Sequence, residues 1–134
     1  MKNSDEYFLM LEPDEDDRVL TEGCLQDLEI RTAIKFLTRS SELFPFLEHN
    51  QRPKMIMMNS QSMPDDALAL LQKLKSSLYA SIPVVILSDI ADNREVARFY
   101  EAGAISFIEK PSDYDLTRKK IKSFFEYWMS VAEV

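Results

Sequence analysis

Glycine is nearly absent from this 134-residue chain, where only Gly23 and Gly103 occur. Loops that wrap a phosphate need several glycines for close backbone approach, so Walker-type and dinucleotide-type loops are excluded. Cys24 is the single cysteine, which rules out an internal disulfide and a Cys-based zinc site. His49 is the single histidine, so any Ser-His-Asp or Cys-His arrangement would have to be built on it. Positive charge is in deficit: 16 Lys and Arg stand against 23 Asp and Glu, a net charge of −7. Such a chain repels nucleic-acid backbones and anionic lipid, so neither is expected as a partner. Apolar runs fall far short of the ~18 residues that cross a bilayer. Met1 to Glu6 is polar and acidic, unlike a signal peptide. The expectation is a soluble cytoplasmic protein.

What is present is an ordinary globular balance, 46% apolar and 29% charged, in a length that suits one domain of ~150 residues. Five short apolar runs alternate with segments of helical period: Tyr7–Leu11, Ile30–Leu37, Lys54–Met58, Val84–Leu87 and Ile105–Ile108. Nearly continuous apolar character over four to eight residues suits strands covered on both faces. The segments between carry helix punctuation. Four acids, Asp14 to Asp17, open the first, followed by Leu20, Cys24 and Leu28 on one stripe. Ser40 or Ser41 begins a second, brief one through Leu47, with Pro45 inside it. Pro64-Asp65-Asp66 opens a third with Leu68, Leu71, Leu74 and Leu78 on its apolar face. Asp92 and Glu95 form a capping box for a fourth that stops at Gly103. Ser112 and Asp115 precede a fifth carrying Leu116, Ile121, Phe124, Phe125, Trp128 and Met129. Alternation of strand and helix implies an α/β fold, a doubly wound parallel sheet with right-handed crossovers. In such sheets the working site lies at the strand carboxyl ends.

Those ends hold Glu12, Pro13 and Asp14; Asn59, Ser60 and Gln61; Ser88 and Asp89; and Glu109, Lys110 and Pro111. The opening stretch Phe8 to Arg18, the run Ile82-Pro83-Val84-Val85-Ile86-Leu87-Ser88, and above all Glu101-Ala102-Gly103-Ala104 followed by Phe107 and Lys110-Pro111 resemble the receiver domains of two-component response regulators. The resemblance covers about Tyr7 to Met129 and implies a flavodoxin-like (βα)5 fold of strand order 2-1-3-4-5; one domain over residues 1–134, with no output domain, is the expectation.

The resemblance also implies a chemistry. A receiver carries phosphate on an aspartate at the end of its third strand, with a divalent cation neutralising the phosphoryl oxygens. Ser88 matches the switch hydroxyl, Lys110 the phosphate-binding lysine, Pro111 the turn after it, Phe107 the switch aromatic, and Glu12 the first of two acidic positions. The second acidic position is Pro13, and the phosphoacceptor position is Asn59, or Ser60 when Pro64 anchors the alignment. Neither residue is a carboxylate. Glu12 and Asp14 are then the remaining anionic partners for a cation, so Mg²⁺ binding is expected to be weak or absent. Lys110, without its usual counter-ions, is expected to pair with Glu12, with the Asn59 carbonyl as a second acceptor.

The reading is therefore a degenerate, non-enzymatic receiver that acts by protein contact. Its partner would be a histidine kinase or phosphotransfer protein. Two alternatives stand beside it: an active regulator using Asp14 or Asp89 as acceptor, with neither carboxylate expected near the Lys110 amine, and a flavodoxin-like nucleotide or flavin binder. Large apolar groups near the chain end exceed one core-facing stripe. Phe99, Tyr100, Phe124, Phe125, Tyr127 and Trp128 are thus candidates for an interface, such as a homodimer through the fourth helix, fifth strand and fifth helix. Asp16 and Asp17 read as solvated acids, Cys24 and the methionines Met55, Met57 and Met58 as core filling, and His49 as solvent-facing.

Overall fold

The computed structural model describes residues 6–29, 33–60, 66–89, 92–110 and 113–130. Strands β1 (Tyr7–Leu11), β2 (Ala33–Leu37), β3 (Met55–Asn59), β4 (Val84–Ser88) and β5 (Ser106–Glu109) form one sheet. Helices α1 (Glu15–Asp27), α2 (Leu43–His49), α3 (Ala67–Lys75), α4 (Asn93–Glu101) and α5 (Tyr114–Ser130) alternate with them. All neighbouring strands are parallel and their order is β2-β1-β3-β4-β5. This is the doubly wound architecture expected from the alternating pattern.

Every residue of β1, β3 and β4 is buried, whereas the edge strands β2 and β5 are half-exposed. Side chains leave alternate faces of a strand, so the central strands feed two cores. On one face Leu9, Leu11, Ile56 and Met58 pack with residues of α2, α3 and α4, including Leu47, Leu71 and Phe99. On the other, Phe8, Met10, Met57 and Leu87 pack with Leu20 and Cys24 of α1 and with Ile121 and Phe125 of α5. Phe125 is fully buried and its ring centroid lies 5.5 Å from that of Phe8. Truncating such a residue to alanine costs about 3–5 kcal/mol.

Local signals explain most of the boundaries. Asp14 caps α1, its Oδ1 accepting the Asp16 and Asp17 N–H groups at 2.8 and 3.2 Å. Asp66 and Asp92 cap α3 and α4 in the same way. Pro45 sits in the first turn of α2, where its missing N–H removes no helical bond, and a 3-10 turn over Ser40–Glu42 leads into it. Gly103 ends the α4 region at φ +112, and a Cβ there would come within 3.0 Å of the Lys75 stem. The positive φ is what requires glycine, while the Lys75 stem would have to shift by a few tenths of an ångström.

Several expectations need correction. β2 is described only from Ala33, with Ile30 outside the described residues, as are Pro64, Asp65 and Ser112. At the described start of α5, Asp113 Oδ1 accepts the Leu116 N–H at 3.1 Å. Helix α3 stops at Lys75, so Leu78 lies beyond it and is 71% exposed rather than on the apolar face. Leu116, also expected inward, is exposed. Phe99 and Phe125 are core residues, not interface candidates, because α4 and α5 turn those positions onto the sheet. Tyr100 and Tyr127 are exposed, while Phe124 and Trp128 are half-buried with their rings stacked. Among the described residues no helix is long and apolar enough to cross a membrane.

Candidate functional site

Parallel strands of similar length bring their carboxyl ends into one depression, and β1, β3, β4 and β5 deliver Glu12, Asn59, Ser88 and Lys110 there. All four are buried. Glu12 follows β1 directly; its N–H bonds to the Leu37 carbonyl at 2.9 Å, and its own carbonyl accepts from Arg18 Nη1 at 2.8 Å. The side chain is thereby held pointing across the strand ends. Asn59 Nδ2 donates to both Glu12 carboxylate oxygens, at 3.1 and 3.0 Å. The Asp14 N–H adds a third donor at 3.2 Å.

Lys110 closes the pocket. Its Nζ lies 2.6 Å from Asp17 Oδ2, 3.6 Å from Glu12 Oε1 and 3.7 Å from Asp89 Oδ1. Its backbone N–H donates to the Ser88 carbonyl at 2.7 Å, which fixes where the side chain starts. On the β4 side, the hydroxyls of Ser60 and Ser88 are hydrogen-bonded at 2.8 Å. The Ser60 N–H is tied to the Leu87 carbonyl at 2.8 Å.

Electrostatics follow from this packing. Burial pushes the Glu12 carboxyl above its ordinary range; the Asn59 amide, the Lys110 ammonium and the Asp14 N–H pull it back, and Asp17 pushes it further up. Burial by itself would lower the Lys110 ammonium. The hydrogen bond to Asp17 and the charges of Glu12, Asp17 and Asp89 outweigh that loss and hold it above the usual lysine value. The Lys110 ammonium is thus shared among three carboxylates, those of Glu12, Asp17 and Asp89. The Asn59 amide is no nucleophile, and it is already committed to Glu12.

The structure thus brings together Glu12, Asn59, Ser60, Ser88 and Lys110. Pro13 is exposed, and Asp14 is an exposed helix cap rather than a wall of the pocket. Gln61 and Pro111 lie outside the described residues. The expected pairing of Lys110 with Glu12 is present but secondary, since Asp17 makes the direct contact and the Asn59 amide faces Glu12 instead. Asp17 was expected to be a solvated acid. It precedes Leu20, Cys24 and Leu28 by three-, seven- and eleven-residue steps, so it is the first member of the inward stripe of α1. That spacing was the available signal. Asp89, also expected away from Lys110, comes within salt-bridge distance of it while remaining largely exposed. Phe107 packs half-buried against Phe99 at 5.6 Å, and its N–H donates to the Tyr100 hydroxyl at 3.0 Å.

No protein-family model matches the chain. The transcriptional regulatory protein CrdR of Helicobacter pylori is 27% identical over 75 residues, a stretch that is 56% of this chain and 35% of that protein. The chain therefore matches about a third of that relative's length. Among solved structures, the Mn²⁺-bound form of response regulator Rcp1 superposes with a TM-score of 0.89 at 20% identity, covering 96% of this chain and 98% of that one. The phosphorylated cyanobacterial phytochrome response regulator RcpA gives 0.88 at 20% identity, covering 96% of each chain. A receiver domain from Rhodospirillum rubrum gives 0.85 at 23% identity, again over 96% of each. With its five parallel strands in the order 2-1-3-4-5 between two helical layers, the chain has the receiver fold.

Proposed function

We propose that this protein is a receiver module of two-component signalling that works by binding a protein partner, without phosphorylation on aspartate and without enzymatic activity. One observation carries the reading: the position from which β3 would offer a carboxylate is Asn59, and its amide is spent on both oxygens of Glu12. Internal groups meet the needs of the pocket that an ion and a phosphate would otherwise meet. Lys110 supplies the positive charge between Glu12, Asp17 and Asp89, and Ser60 supplies the oxygen facing Ser88.

Response regulator Rcp1, of the same fold, has a Mn²⁺-bound form. The donors here do not fit such an ion: Pro13 has none, Asn59 turns its N–H groups to Glu12, and Asp17 is held by Lys110. Among the described residues no group of three His, Cys, Asp or Glu side chains is arranged to hold a metal. Divalent-cation binding is accordingly weak or absent in this proposal, and no step runs through a metal. The partner is a histidine kinase or phosphotransfer protein in the cytoplasm. A homodimer through α4, β5 and α5 would use Tyr100, Tyr127 and the half-buried Phe124 and Trp128.

Incubation with acetyl phosphate and Mg²⁺, followed by intact-mass measurement, tests the proposal. The wild type should stay at its own mass. A labile phosphoryl adduct would overturn it, and its loss in Asp89→Asn would assign that adduct to Asp89, the exposed carboxylate beside Lys110.

A further inference from the structure

The opposite end of the sheet carries a different kind of surface. Before β3 the loop bears Arg52, whose guanidinium lies 5.3 Å from the Tyr79 ring centre and donates to the Leu78 carbonyl at 3.0 Å. Lys73, near the end of α3, stands 5.1 Å over the Phe44 ring, and Phe44 and Tyr79 are themselves 6.1 Å apart. Lys35 of β2 stands 4.8 Å over Tyr7, whose hydroxyl donates to the Gln51 carbonyl. Lys35, Arg52 and Lys73 are exposed, and Leu78, whose carbonyl Arg52 holds, is 71% exposed.

Helix dipoles favour cations at the carboxyl ends of helices, which accounts for Lys73. They do not account for Lys35 on a strand or Arg52 in a loop. In a chain of net charge −7, Arg52 and Lys73 are held on two neighbouring rings, Tyr79 and Phe44, with the exposed Leu78 next to Tyr79 in the chain. Resting on a ring also limits the freedom these side chains have left to lose on binding.

We infer that the surface formed by Arg52, Lys73, Leu78 and Tyr79 docks an acidic polypeptide segment that carries an apolar side chain for Leu78. The cations complement the acids, and the leucine offers the desolvated contact that long exposed ion pairs lack. A nucleic acid fits less well. A ring face that a base would need already bears a cation, and the overall charge repels a phosphate backbone. This surface is remote from the strand carboxyl ends, so the inference does not depend on whether the pocket is phosphorylated.

The test uses the full chain labelled with ¹⁵N and a synthetic peptide of about twelve residues built from Glu-Glu-Leu-Glu-Glu-Phe repeats, long enough to span such a patch. Amide shifts should move at Arg52, Lys73, Leu78 and Tyr79. Raising salt from about 50 to about 300 mM should weaken the complex, because the contacts are exposed. Arg52→Glu with Lys73→Glu should weaken it about tenfold and Lys73→Glu alone about threefold, while Lys119→Glu with Lys120→Glu on α5 should leave it unchanged. The single Lys73 variant keeps the Arg52 bond to the Leu78 carbonyl, so it separates binding from folding. Shifts centred on α5, an unchanged affinity in the double variant, or no shift at the patch would overturn the inference. Tighter binding of an oligouridine of similar length, or occupation of the patch by a second copy on sedimentation, would overturn it as well.

Discussion

The two ends of the parallel sheet handle charge in opposite ways. At the carboxyl end Glu12 and Lys110 are 0% and 5% exposed, and their charged groups are answered from inside the chain. Towards the amino end Arg52 and Lys73 stay in water and rest on aromatic rings. The difference lies in desolvation. A buried charge must be matched by the fold itself, so its partners become structural. An exposed charge is screened, contributes little to stability, and stays available to an outside partner.

That contrast can be broken by measurement. Lys110→Met should cost about 3 kcal/mol in urea unfolding at neutral pH, because Glu12 loses its counter-ion while still buried. The loss should shrink as pH falls and Glu12 takes a proton. A cost near zero would mean that Lys110 does not hold the pocket together. Asn59→Asp places a second carboxylate against Glu12 in place of an amide donor, and should cost about 2 kcal/mol at neutral pH, with one of the two acids titrating well above the usual range. Ser60→Ala removes the partner of the Ser88 hydroxyl and should cost about 1 kcal/mol. Lys73→Ala at the other end should cost about 0.5 kcal/mol, the scale of an exposed cation–ring contact. A larger loss there than at Ser60 would erase the contrast.

A pH series sharpens it further. The folded state holds the Glu12 proton more tightly than the unfolded chain does, since burial raises its pKa. Its contribution to stability is therefore complete below the ordinary glutamate range and lost as pH rises through the raised folded value. Glu12→Gln should flatten that part of the stability–pH profile relative to wild type. Lys110, raised as well, keeps its contribution throughout the neutral range and loses it only as pH climbs through its own raised value.

Much of this architecture is legible in the chain. Runs such as Val84 to Leu87 can be continuous in apolar character only if both faces are covered, and Asp92 and Gly103 mark the limits of α4 by backbone chemistry that operates over a few residues. Site positions at the strand ends follow from the topology, so Glu12, Asn59, Ser88 and Lys110 can be brought together from the order of strands and helices. Their partners are less accessible. Helical spacing turns Asp17 inward, but it does not name the ammonium more than ninety positions away that Asp17 meets, and no such spacing marks Asp89. Leu78 misleads for a similar reason: its spacing continues a helical stripe beyond the point where the helix ends.

The chain by itself determined the alternation of strand and helix, the absence of a carboxylate at the third strand's end, and the excess of acid. Those depend on residue identity and on interactions a few positions apart. Which acid meets Lys110, which aromatics lie in the core, and which cations come to rest on rings were decided only when distant segments packed, because Coulomb and stacking contacts depend on separation in space and not along the chain.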